Sequence, residues 1–152
     1  MSEKKELTNQ VEVVKATRGR KEKHFYGVGR RKTSVASVFL YTKKGDFFVN
    51  GKTFNDYFDL EAHKNGWMKP FHIVGVSHPV TTFSGTVKVS GSGKSSQFDA
   101  VLLAISKALV AFDGENRNTL RKHDMLTRDP REVERKKPFL RKARKAPQYS
   151  KR

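Results

Sequence analysis

Residues 82–112 of this chain, TFSGTVKVSGSGKSSQFDAVLLAISKALVAF, decide its fold because a strand pattern, a glycine-rich loop and a helix pattern follow one another there. In the first part, alternate residues are apolar or glycine, which predicts a half-exposed strand. In the last part, apolar residues recur at helical spacing, which predicts a helix over 97–112. Ser96 and Asp99 are candidate caps for its start, and the Asp-Gly pair at 113–114 is expected to end it.

Further strands and short helices are predicted on either side. Residues 34–41, SVASVFLY, predict a buried strand, and residues 47–49 are predicted to return beside it as a hairpin. A Thr-x-x-Asp pattern from Thr53 opens a short predicted helix, residues 60–80 fit a helix or a strand, and a polar helix is expected over 116–125. We therefore predict an α+β fold, a two-layer domain with a mainly antiparallel or mixed sheet packed by helices.

The two ends of the chain differ from this middle part. Residues 1–24 are expected to form a flexible N-terminal extension, residues 25–126 the globular domain, and residues 127–152 an extended basic tail. Of the last 18 residues, nine are Lys or Arg and none is Asp or Glu. Such a segment repels itself and gains order only against a surface of opposite charge, such as the phosphates of a nucleic acid.

The composition also indicates a polyanionic partner. The 152 residues include 32 Lys or Arg against 15 Asp or Glu, which gives a formal net charge of +17. No stretch approaches 18 consecutive apolar residues, and the tail lacks the apolar face of a membrane-surface helix, so no membrane partner is expected. The N-terminus resembles neither a signal peptide nor a transit peptide, which favours the cytoplasm over an organelle.

No catalytic site, metal, cofactor or small-molecule substrate is predicted. Cysteine is absent, which excludes thiolate zinc sites and cysteine nucleophiles, and the five histidines form no HExxH pattern. A serine nucleophile elbow at Ser92 fails because Ser90 and Lys94 stand where glycines are required. The acidic residues near the tail lie among cations and are predicted to form ion pairs that orient the arginines; they are Asp124, Asp129, Glu132 and Glu134.

Two glycine-containing segments are candidate phosphate contacts. The loop over 90–96, SGSGKSS, has the setting of a nucleotide-binding P-loop, but the first glycine of that motif would fall at Lys88. Its amides at a helix start, with Lys94, suit an RNA phosphate, although a flexible turn explains the same residues. The segment GVGRRK at 27–32 lacks the third glycine of a dinucleotide fingerprint. Its three cations favour phosphate contact, and a solvated charge run fits them equally well.

Four blocks of sequence point to a known family. They are YGVGRRKTSVASVFL from Tyr26, GSGKSSQFDAVLLAISKAL from Gly91, LTRDPREVERKK from Leu126 and LRKARKAPQYSKR from Leu140. In their order and spacing, the chain resembles the bacterial form of the universal small-subunit ribosomal protein nine family across about residues 25–152. The resemblance implies a two-layer α+β domain with a left-handed β-α-β crossover. It also implies packing on ribosomal RNA beside neighbouring proteins of the small-subunit head, and no catalysis.

The resemblance further implies the binding residues. The basic tail would thread through ribosomal RNA and end at the peptidyl-site tRNA, with Ser150, Lys151 and Arg152 against the anticodon stem-loop and Arg152 as the principal contact. The implied contacts to ribosomal RNA are Tyr26, Gly27, Gly29, Arg30, Arg31, Lys32, Gly91, Ser92, Gly93, Lys94, Arg128, Arg131, Arg135, Lys136, Lys137, Arg141, Lys142, Arg144 and Lys145.

The chain departs from the family pattern in its glycine loop and in its tail. Ser92, Ser96 and Phe139 stand where the family commonly has glycine, which leaves the approach of the loop to a phosphate and the turn at residue 139 open. Among the aromatic residues, Trp67 is expected in the core and Tyr149 in contact with something outside the chain. Two other functions stay open: a free-standing RNA-binding or chaperone module with a basic arm, and a small nucleotide-dependent enzyme that uses the Lys94 loop.

Overall fold

The computed structural model describes residues 23–151. Most of the predicted N-terminal extension and Arg152 lie outside the described residues. The strands are β1 (Phe25–Arg31), β2 (Ser34–Tyr41), β3 (Phe47–Val49), β4 (Lys52–Thr53) and β5 (Ser84–Ser90). The helices are α1 (Phe54–Tyr57), α2 (Glu61–Gly66), α3 (Lys69–Ile73), α4 (Pro79–Thr82), α5 (Lys94–Phe112) and α6 (Asn116–Lys122).

The five strands form one mixed sheet in the order β1-β2-β5-β3-β4. Neighbours are antiparallel except β3 and β5, which run parallel. The parallel pair requires a crossover, and the chain makes it through β4 and the four short helices α1 to α4. The predicted α+β fold with a mixed sheet packed by helices is confirmed, while the left-handedness of the crossover stays a prediction.

The predicted hairpin between residues 34–41 and 47–49 is wrong. β5 lies between β2 and β3 and pairs with β2 from Ser84 to Ser90. β5 offers β2 seven residues with alternating burial, whereas β3 has only three. Because cross-strand side-chain pairs are the unit of sheet stability, the longer strand takes the central position.

The strand β1 was not predicted from the sequence, in which residues 34–41 form the first predicted strand. Gly27 and Gly29 are buried in β1 and face α5. A Cβ atom at Gly27 would lie 2.1 Å from the Ala104 carbonyl oxygen, and one at Gly29 would lie 1.9 Å from that of Ala100. The glycines therefore let the helix approach the sheet at backbone distance.

Helix α5 forms the centre of the core. Its buried residues pack on β1 and β2, and the alternation predicted for β5 is confirmed, with Gly85, Val87 and Val89 facing inward. By length and composition alone, α5 could cross a membrane, but more than half of it is buried inside the domain, as in the core helix of a globular protein.

The predicted caps of α5 are wrong at one end and right at the other. The helix begins at Lys94, with Gly93 as N-cap and no side-chain cap among the described residues. Ser96 is buried inside the first turn, and Asp99 forms an ion pair instead. At the other end, Asp113 is the C-cap, as expected.

An aromatic cluster closes the end of the core beneath the short helices. The ring of Phe47 lies 4.7 Å from that of Trp67 and 5.6 Å from that of Phe71, and Trp67 lies 5.0 Å from Phe54. Trp67 is buried, which confirms its predicted place. Residues 60–80, which fitted a helix or a strand in the sequence, form α2, α3 and the start of α4. Pro70 lies in the first turn of α3 and Pro79 in the first turn of α4, where proline favours the start of a helix.

The short helix predicted from Thr53 is also confirmed. The Thr53 hydroxyl accepts a hydrogen bond from the amide of Asp56 at 3.3 Å and donates one to its carboxylate at 2.7 Å. Before it, Asn50 and Gly51 have φ angles of 49° and 83°, as expected in a tight turn between β3 and β4. The predicted polar helix is α6, which ends at Lys122.

Candidate nucleic-acid interface

The glycine loop between β5 and α5 is exposed but firmly held. The side-chain amide of Gln97 donates to the Gly91 carbonyl at 2.7 Å, and the hydroxyl of Ser34 donates to the same oxygen at 3.4 Å. Gly91 has a φ of 84° and packs so closely on Thr33 that a Cβ atom would lie 2.2 Å from its carbonyl oxygen. The loop therefore presents the first amides of a 19-residue helix to solvent in a fixed conformation.

The side chain of Lys94 is directed toward its own domain. Its ammonium group donates to the Tyr57 carbonyl oxygen and lies 4.6 Å from the centroid of the Tyr57 ring. It also lies 3.7 Å from the carboxylate of Asp59. The side chain is half exposed, so its positive charge is partly accessible to a ligand.

The cations that follow the two glycines of β1 have different roles. Arg30 and Lys32 are exposed, and Lys32 lies in the β1–β2 turn with a φ of 49°. The side chain of Arg31 is only 14% exposed. It is therefore largely covered by other parts of the protein, whereas the family resemblance implied a contact to RNA.

Arg31 joins β1, α5 and the start of the tail. Its guanidinium lies 3.5 Å from the Asp99 carboxylate and 2.9 Å from the Asp129 carboxylate. Its Nη1 also donates to the Arg131 carbonyl at 2.7 Å. We call Arg31, Asp99 and Asp129 the tail clamp. The ion pair of Asp99 was not predicted from the sequence, although the single acidic residue of α5 is a usable signal.

The carboxylate of Asp129 is strongly stabilised in its ionised form. The side chain of Arg131 donates two hydrogen bonds to Oδ2, at 2.6 and 2.9 Å, and its backbone amide donates to Oδ1 at 2.9 Å. These bonds, with the charges of Arg131 and Arg31, hold the pKa of Asp129 far below its usual range. The same pairing raises the pKa of Arg131.

The other acidic residues near the tail mostly form the predicted ion pairs. Arg128 pairs with Glu132 four residues on, and Arg144 donates to Glu134 at 2.8 Å. The bond from Arg144 lowers the pKa of Glu134. Asp124 is the exception, because it forms no ion pair with the residues that the structure describes and has a φ of 56° after α6.

After Lys122, the described part of the chain forms no further helix or strand, and nearly all of its predicted contact residues are exposed. The tail is not fully extended, however. The Arg141 amide donates to the Lys145 carbonyl at 2.7 Å, and the Arg144–Glu134 pair closes a loop around Phe139. Phe139 is 95% exposed with a φ of 63°, and Tyr149 is also exposed. The exposed predicted contacts of the tail are Arg128, Arg131, Arg135, Lys136, Lys137, Arg141, Lys142, Arg144, Lys145, Ser150 and Lys151.

Comparison with known proteins identifies the family. Residues 29–152 match the family described as "Ribosomal protein S9/S16". The small ribosomal subunit protein uS9 of Thermotoga petrophila is 47% identical over 131 residues, which cover 84% of this chain and 96% of the relative. The proteins of the same name from Thermotoga maritima and Thermotoga neapolitana show the same identity and coverage. The chain belongs to the ribosomal protein S9/S16 family.

Proposed function

We propose that this chain binds ribosomal RNA through the exposed cations of its tail and through its glycine loop, and that its last residues contact the peptidyl-site tRNA. The observation that carries the proposal is the tail itself. Between Arg135 and Lys145, all seven cations are exposed, and only Arg144 forms an ion pair with a described acidic residue. Such a density of charge needs phosphates nearby.

The general function of the chain follows from its family. The relatives are small-subunit ribosomal proteins, and the chain is a structural protein of the small ribosomal subunit rather than an enzyme. Its partners are therefore ribosomal RNA and other ribosomal proteins. Its bacterial relatives indicate a location on ribosomes of the cytoplasm. This removes the nucleotide-dependent enzyme from the alternatives.

The RNA contacts are of two kinds. The domain presents Arg30, Lys32 and the loop over Gly91–Gly93 at one end of the sheet, where a phosphate can approach exposed amides. The tail presents exposed cations that neutralise phosphates where RNA helices crowd together. Gly27, Gly29 and Arg31 are left out of the proposed contacts because they are engaged within the protein.

The test of RNA binding is a comparison of two double variants in the full chain. Arg141→Ala with Lys142→Ala removes two tail charges, whereas Lys107→Ala with Lys122→Ala removes two exposed charges on helices. We expect the first pair to weaken binding to small-subunit ribosomal RNA about 10-fold and the second to change it little. Equal losses would show that the tail has no special role. In a sucrose gradient, a chain that stays at the top after a moderate salt wash would favour the free-standing module.

The test of tRNA contact uses the end of the chain. Lys151 is exposed, and Arg152 follows it beyond the described residues. Small subunits that carry Arg152→Ala are expected to retain less tRNA in the peptidyl site at equal protein content, because one phosphate contact is lost. Subunits that carry Lys107→Ala serve as the control. If the Arg152→Ala subunits hold as much tRNA as the parent, this part of the proposal is wrong.

A further inference from the structure

The sheet has one face that none of the helices within residues 23–151 covers. Burial alternates along every long strand, and α5 packs against the inner residues of β1 and β2. The outward residues form the second face, which we call the open face. They are Tyr26, Val28 and Arg30 on β1, Val35, Ser37, Phe39 and Tyr41 on β2, Thr86 and Lys88 on β5, and Phe48 on β3.

Three aromatic residues lie in one row across the open face. The register pairs Tyr26 with Phe39, Phe39 with Thr86, and Thr86 with Phe48, so the row crosses four strands. The Tyr26 and Phe39 rings are 5.1 Å apart, and Tyr26 and Phe48 are 49% and 43% exposed. The Tyr26 hydroxyl lies 3.3 Å from that of Ser37, which helps to fix its ring. A row of partly exposed, positioned rings is a surface for stacking.

The neighbouring rows carry positive charge. Lys88 follows Thr86 by two residues on β5, and its ammonium group lies 5.9 Å from the Phe39 ring centroid. Arg30 lies further along β1 and is exposed. None of the residues in the five described strands is Asp or Glu, so nothing on these strands opposes an anionic ligand.

The open face also continues into the glycine loop. Val35 pairs with Arg30 on one side and with Ser90 on the other, and Ser90 leads directly into Gly91. A strand of RNA that follows the rows from the aromatic residues toward Arg30 therefore reaches the exposed amides of the loop. This continuity joins the stacking surface to the proposed phosphate contacts.

We propose that the open face binds unpaired bases of RNA, which stack on Tyr26 and Phe39 while Lys88 and Arg30 neutralise the adjoining phosphates. Rings beside cations, without acidic residues, are the arrangement that single-stranded RNA requires. Bases inside a duplex cannot reach such rings. The inference rests on the proposed function, since it names the kind of RNA that the domain takes.

The experiment measures binding of the full chain to two RNA probes, a single-stranded oligouridylate of about 10 nucleotides and a duplex of similar length. The test variant carries Tyr26→Leu and Phe39→Leu, which keeps apolar side chains but removes both rings. Phe112→Leu is the matched control, because Phe112 is 43% exposed but lies on α5. Circular dichroism and thermal melting confirm that each variant is folded.

We expect the test variant to bind the single strand about 10-fold or more weakly, with duplex binding unchanged, and the control to bind both RNAs like the parent. Ultraviolet crosslinking of the parent should place uridine on Tyr26 or Phe39. Single-strand binding within about twofold of the parent, with crosslinks only in the tail, overturns the inference and leaves the proposed function intact. A parent that binds neither RNA overturns both. A variant that keeps its RNA affinity but no longer joins the small subunit shows that the open face takes a protein instead, and also overturns the inference.

Discussion

Ser92 holds a backbone conformation that serine adopts only at a cost. Its φ is 34°, in the left-handed region that favours glycine. Replacing Ser92 with glycine removes roughly 1–2 kcal/mol of strain and adds roughly 0.5–1 kcal/mol of unfolded-state entropy. We therefore expect Ser92→Gly to raise the free energy of unfolding by about 0.5–1 kcal/mol in urea titrations.

Ser95→Gly is the control for this prediction, because Ser95 is exposed in the first turn of α5. Glycine in a helix is unfavourable, so this change should lower the free energy of unfolding by up to about 1 kcal/mol. If Ser92→Gly lowers the free energy of unfolding as Ser95→Gly does, the strain at Ser92 is not stored in the folded state.

Position 29 requires glycine because of close packing rather than backbone conformation. A methyl group there would lie 1.9 Å from a backbone oxygen of α5, which cannot move without lifting the helix off β1. Overpacking of this kind costs about 1–3 kcal/mol or more. We expect Gly29→Ala to lower the melting temperature by several degrees. Gly114→Ala, where no atom lies within 4 Å of the new Cβ, should melt like the parent.

Among the elements, β1 and the tail are held together by the tail clamp. A lysine at position 31 keeps the charge but cannot bond Asp99, Asp129 and the Arg131 carbonyl at once, because it lacks the planar fork of arginine. We expect Arg31→Lys to release the start of the tail and to speed trypsin cleavage after Arg128 and Arg131 several-fold, as followed by mass spectrometry.

Arg30→Lys is the matched control for the clamp, since Arg30 is the exposed neighbour on the same strand. Its cleavage rates should equal those of the parent. A tail that is cut equally fast in all three proteins would show that the clamp does not hold it.

The pH dependence of the clamp follows from Asp129. Its folded pKa lies below the unfolded value, so the pairing contributes stability above the unfolded pKa of about 4 and loses it only as pH falls through the folded pKa. Tail protection, measured by hydrogen exchange, should therefore stay constant from about pH 8 to about pH 5. A loss of protection near pH 6 would show that another group controls it.

The sequence predicted β5 and α5 because both carry unbroken periodic patterns on a buried face. It missed β1, because Gly27 and Gly29 replace the apolar residues that mark a strand, and the reason for them lies on a helix far along the chain. The tail clamp could not be predicted for the same reason, because Arg31 and Asp129 are 98 residues apart in the sequence. Local pattern identifies elements, whereas pairing order and ion pairs depend on the assembled domain.

In the molecule as a whole, the residues that stabilise the fold and the dense positive charge of the tail lie in different parts of the chain. The buried core and the residues packed on it end at Leu126, and the contacts of the tail beyond Glu134 are local. A chain that ends at Glu134 should therefore melt at the temperature of the full chain. It should bind ribosomal RNA more weakly and with a shallower dependence on salt, because each lost phosphate contact lowers the slope by roughly 0.7–0.9. Binding titrations at several salt concentrations measure this slope. Equal slopes for the two chains would place the phosphate contacts on the domain and contradict the tail as the main electrostatic anchor.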